Sequence, residues 1–190
     1  IIARCYSIGI LGLFLLAVLY KDRIKHPVVY ALLIFFTCNT SAMAFAGASG
    51  FAFIFVFDLL KNIKKKYKKA VIPFLILLLT AVLILIKTGK YDTPLFFAKF
   101  TFAKQMHKFF FLKYDFIVFQ YLSYIVIPLT VAYPVYYLFD NKRCLFFFLY
   151  CWSFLLSFFY FIYAGQEYHH YFLYIYLIIA YWIYKNEFPN

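Results

Sequence analysis

The chain has 190 residues, of which 67% are hydrophobic and 26% aromatic, with a formal net charge of +12 and a mean hydropathy of +0.84. A water-soluble fold of this size has no means of hiding so much Phe, Tyr, Leu and Ile, so composition excludes an ordinary soluble domain. The cationic excess gathers at the ends of apolar runs, which points to orientation in a lipid bilayer and contact with anionic lipid rather than to nucleic acid.

In chain order, residues 1–20 read as a first span. The chain opens on Ile1-Ile2 inside an apolar run, and the expectation is a fragment lacking its N-terminal part. Lys21, Arg23 and Lys25 mark a cytoplasmic turn, and Pro27 restarts the chain at a favoured first helical position. From Val28 to Leu60 no basic residue occurs. The polar residues Asn39, Thr40 and Ser41 in the middle predict two short helices joined by a tight outer turn. Gly47, Ser49 and Gly50 then let the second helix pack closely. The basic block 61–69 predicts the firmest cytoplasmic anchor, with Asp58 a salt-bridge partner at a helix end and 70–86 crossing back outward.

Residues 87–115 interrupt the apolar pattern with six lysines among phenylalanines. On a helix, Thr101, Lys104, Gln105, His107 and Lys108 share one side, and Phe102, Met106, Phe109 and Phe110 the other, predicting an amphipathic helix on the outer leaflet. Residues 116–139, carrying Pro128 and Pro134, return inward to a short turn at 140–143. Residues 144–163 go out, 164–170 form an outer loop, and 171–184 come back to Lys185. The expected architecture is therefore all-α, a polytopic transmembrane bundle of about seven spans, forming a single integral membrane domain over residues 1–190. Two of the spans are short and form a hairpin, and an outer-face interfacial helix is added to them. With this arrangement 12 of the 19 Lys and Arg lie inside and 7 outside. That bias has the expected sign, but six lysines on one short outer segment defy the usual rule and suggest a purpose.

Two constellations carry candidate chemistry. The lysines of 87–115 either snorkel to lipid phosphates as an anchor or hold the phosphate of a lipid-linked substrate. At Gly165-Gln166-Glu167-Tyr168-His169-His170, Glu167 and His170 are three apart, so the carboxylate can orient an imidazole toward a phosphate or a sugar hydroxyl. Ordinary interfacial solvation is the alternative. Cys5, Cys38, Cys144 and Cys151 show no metal-binding spacing and read as packing residues, and neither a metal nor a cofactor is expected. Trp182 and the tyrosines near span ends fit an interfacial belt.

These features fall in a familiar order. The short helix pair with its polar outer turn is followed by a basic inner block and then by Lys87-Thr88-Gly89-Lys90-Tyr91-Asp92-Thr93-Pro94-Leu95-Phe96-Phe97-Ala98-Lys99. Further on come Gly165-Gln166-Glu167 and His170-Tyr171. Over residues 27 to 180 the chain resembles the C-terminal membrane half of bacterial GT-C superfamily glycosyltransferases. The resemblance implies a multi-pass enzyme of the bacterial cytoplasmic membrane that transfers a sugar from a polyprenyl-phosphate donor to a cell-envelope glycan, lipid or protein acceptor on the outer face. It implies phosphate or substrate contacts at Lys99, Lys104, His170 and Glu167, with His170 where the family carries arginine. The family's catalytic carboxylate sits in an N-terminal outer loop, so no catalytic residue is assigned in these 190 residues. The competing expectations are a transporter or lipid flippase, with Asn39 to Ser41 in a broken helix, and a non-catalytic membrane subunit or polysaccharide polymerase.

Overall fold

A computed structural model describes the backbone of residues 2–88, 132–161 and 167–187, and the side chains of 6–61, 70–84, 132–158 and 171–187. Among the described residues the fold is all-helical, without strands. Helix α1 covers Ile2–Val18 and tightens into a 3-10 turn at Leu19–Asp22. Helix α2 covers Pro27–Cys38 and α3 covers Ala42–Thr88. After a helical stretch at 132–138 come α4, Lys142–Phe161, and α5, Glu167–Glu187.

The hairpin of α2 and α3 forms where the polar residues predict it. Pro27 opens α2, where its missing N–H costs nothing. At the other end Asn39 donates from its side-chain amide to the Phe35 carbonyl at 2.8 Å, and the Thr40 hydroxyl donates to the Thr37 carbonyl at 2.8 Å. The Ser41 hydroxyl oxygen accepts from the Ala44 N–H at 3.1 Å and caps α3. The turn therefore satisfies its own backbone groups, as any irregular backbone away from water must.

Beyond Lys61 the structure departs from the expected inner turn: α3 runs without a break through 61–69 and past Pro73 to Thr88. Lysine is a good helix former, and nothing in the block has the glycine or proline that stops a helix. Charge density was mistaken for a chain reversal. The start of the lysine-phenylalanine stretch, Lys87 and Thr88, belongs to this helix. Helix α5 also starts earlier than expected, so Glu167 and His170 lie in its first turn rather than in a loop. Of the described helical stretches, Ala42–Lys61 is long and apolar enough to cross a membrane, and Pro27–Cys38 and Ala70–Ile84 are shorter apolar stretches.

The core is formed by α1, α2, the first half of α3, α4 and α5. Close approach is what the small residues supply. A Cβ on Gly9 would lie 2.7 Å from the Ala44 Cβ and 2.8 Å from the Thr40 hydroxyl oxygen, and one on Gly12 would overlap the Thr37 side chain, whose own Cβ is 3.2 Å away. On α3, Gly47 faces Leu13 and Tyr176, and Gly50 faces Phe147 and Cys151. Between these helices Phe51 packs on Phe147 with ring centroids 4.6 Å apart, and Tyr150 and Ser49 share a hydroxyl hydrogen bond of 3.0 Å. The Tyr176 hydroxyl donates to the Met43 carbonyl, and Trp152 donates to the Leu173 carbonyl at 3.4 Å. Cys38, Cys144 and Cys151 are buried free thiols, in keeping with packing roles.

Gly12→Val forces a branched side chain against Thr37, whose hydroxyl is already committed to the Leu33 carbonyl at 2.7 Å. The expected loss is about 1–3 kcal/mol of stability, read from unfolding midpoints in detergent. Leu11→Val, at a position 59% exposed on the same helix, should stay within about 0.5 kcal/mol of the parent. Equal midpoints for the two variants would refute the close contact of α1 with α2.

Candidate functional site

The described residues bring one polar cluster together, at the end of the bundle opposite the Asn39 turn. Asp58 on α3 lies within its low-polarity wall and is 6% exposed, so its charge needs partners. Arg23, itself 7% exposed, reaches it from just after α1. Its Nε and Nη2 donate to Asp58 Oδ2 at 2.9 and 2.6 Å. Arg143, at the start of α4 and half-exposed, donates from Nη2 to the other oxygen, Oδ1, at 2.9 Å.

The network continues outward. Arg143 Nη1 stands 3.7 Å from Glu187 Oε1 at the end of α5, and the Asn141 amide donates to Glu187 Oε2 at 2.5 Å. The Asn141 side-chain oxygen Oδ1 accepts from the Arg143 and Cys144 N–H groups at 3.0 and 3.2 Å, capping α4. Arg23 also donates to the Tyr20 carbonyl and lies over the Tyr20 ring, 3.8 Å from its centroid. Burial works against the Arg23 charge, yet its pKa stands above the usual arginine value, because Tyr20 and the Asp58 carboxylate hold the cation. On the neighbouring turn the hydrogen bond from Lys25, 2.7 Å away, keeps the Asp22 carboxyl below its ordinary value.

With both oxygens of Asp58 occupied by guanidinium groups, the carboxylate is poorly placed to take a proton from a substrate. The arrangement ties α1, α3, α4 and α5 together at one end and works as a clasp. Sequence reasoning gave Asp58 a salt-bridge role but missed Arg23 and Arg143, which are 35 and 85 residues away. The available signal was that Asp58 is the sole acid between Asp22 and Asp92, set in an apolar stretch rich in phenylalanine. Such a carboxylate requires a cation from elsewhere in the fold.

Of the sequence-predicted contacts, Lys99 and Lys104 lie outside the described residues, as does the rest of 89–131. Glu167 and His170 share the first turn of α5 at a spacing of three, but their side chains also fall outside the described set. Compared with known proteins, the chain matches no family model, no curated protein and no solved structure.

Asp58→Asn leaves two guanidinium groups facing a neutral amide. It should cost about 3–5 kcal/mol, the range for removing one partner of a buried ion pair. The double change Arg23→Met with Asp58→Leu removes the main buried charges together and should recover at least about half of that loss. Strict additivity of the single-site losses in this cycle would show that Arg23 and Asp58 do not interact.

Proposed function

We propose that the chain is part of a multi-pass membrane glycosyltransferase of the bacterial cytoplasmic membrane that uses a polyprenyl-phosphate-linked sugar. The reading is carried by the order of its elements: a short helical hairpin with a polar turn, a basic block, an apolar stretch, the lysine-phenylalanine segment, and an acid-histidine pair opening the last helix. The hairpin and the position of Glu167 and His170 in the first turn of α5 support it. A general base on the protein activates the acceptor hydroxyl, and cationic groups steady the departing phosphate. Lys99, Lys104 and His170 take that second role, and Glu167 orients His170.

The proposed bundle is multi-pass, with Ala42–Lys61 as one crossing. One uninterrupted helix of 47 residues is about 70 Å long, more than twice the roughly 30 Å hydrocarbon thickness. Two apolar stretches on either side of six lysines cannot both lie in one bilayer along a single axis. In the proposed placement Ala42–Lys61 crosses the bilayer, and α3 continues past the lysine block on the clasp side without reversing.

In the full-length protein at equal expression, Lys99→Ala, Lys104→Ala and His170→Ala should each lower sugar release from a polyprenyl-phosphate donor by at least roughly ten-fold, as expected when a charge-stabilising contact is lost. Unchanged turnover in all three variants would remove the phosphate-binding assignment.

A further inference from the structure

The described cations are distributed unevenly. Every lysine and arginine with a described side chain lies at the clasp end: Lys21, Arg23, Lys25, Lys61, Lys142, Arg143 and Lys185. The opposite end, where Tyr6 meets Phe172 and Gly9 meets the Thr40 side chain, has none among the described side chains. Two of these cations are committed inward or locally, Arg23 to Asp58 and Lys25 to Asp22. Lys21, Lys61, Lys142 and Lys185 are exposed and make no ion pair among the described residues. Arg143 divides its guanidinium, with one nitrogen held firmly by Asp58 at 2.9 Å and the other 3.7 Å from Glu187 on the open side.

What flanks these charges identifies their partner. Phe57, Tyr136 and Phe139 are 67%, 81% and 68% exposed beside them, and Trp182 on α5 packs against Phe14 one turn before Lys185. A soluble acidic partner would be matched by cations set among polar groups. Cations ringed by exposed aromatic and aliphatic groups match the boundary between lipid headgroups and acyl chains.

We propose that the clasp end is a binding surface for the headgroups of anionic phospholipids in one leaflet, with Lys21, Lys142 and Lys185 as contacts and the loosely held nitrogen of Arg143 as a phosphate seat. Lipid bound there rests on the residue that joins the surface to the Asp58 network, so leaflet charge reinforces the clasp. This inference depends on the membrane placement proposed above but not on the glycosyltransferase reading.

The chain has two tryptophans, so Trp152→Phe leaves Trp182 as the reporter, and retaining Trp152, which is 8% exposed, provides a second form with a lipid-insensitive background. The protein is reconstituted into phosphatidylcholine vesicles containing equal fractions of brominated phosphatidylglycerol or brominated phosphatidylcholine. The anionic lipid should quench Trp182 with an apparent affinity roughly three-fold or more above the neutral one, and the ratio should fall toward one in molar salt. In Lys21→Gln/Lys142→Gln/Lys185→Gln the ratio should approach one while quenching by the neutral lipid persists, which shows the variant still inserted. Equal quenching by both lipids in the parent, or a preference that survives in the triple variant, overturns the proposal while leaving the membrane placement standing. Absence of quenching by either lipid overturns both.

Discussion

The arrangement of this bundle depends on satisfying one carboxylate. Asp58 is buried in an apolar stretch of α3, and an unpaired carboxylate there would be more costly than any single packing contact could offset. Two arginines from distant parts of the chain meet it, one on each oxygen. Because Arg143 also approaches Glu187, and Asn141 both donates to Glu187 and caps α4, the end of α5 and the start of α4 are positioned by the same group of charges. Removing one member therefore disturbs several helix ends at once.

The other end of the bundle is organised by absence of bulk rather than by charge. Gly9 and Gly12 let α1 approach the hairpin to a distance at which a single added carbon would collide with Thr40, Ala44 or Thr37. Such close packing, with a few interhelical hydrogen bonds, holds these helices against one another. The bonds from Tyr176 to Met43 and from Ser49 to Tyr150 are of that kind.

Local features of this chain were legible in its sequence. The break at Asn39 to Ser41 was visible because three polar residues interrupt an apolar run, and their side chains do make the hydrogen bonds that end one helix and begin the next. Pro27 marked a helix start for an equally local reason. The continuity of α3 was not visible, because a lysine block signals where water lies but says nothing against helix, a state lysine favours. Asp58 was legible as a residue needing a cation. Its partners were not, since Arg23 and Arg143 look in sequence like ordinary loop charges and only the packing of α1 and α4 on α3 brings them in. The lysines of the 87–115 segment, chosen for their breach of the charge bias, rest on sequence reasoning, and Glu167 and His170 gain from the fold only their place on a helix.

The central claim is that the clasp and the Asn39 turn sit on opposite faces of one bilayer. Single cysteines at Thr40 and Lys142, in a background with the native cysteines replaced, test it through labelling by a membrane-impermeant maleimide. In intact cells the account predicts labelling at position 40 and protection at 142, with the pattern inverted in inside-out vesicles. Labelling of 40 and 142 from the same side would contradict it.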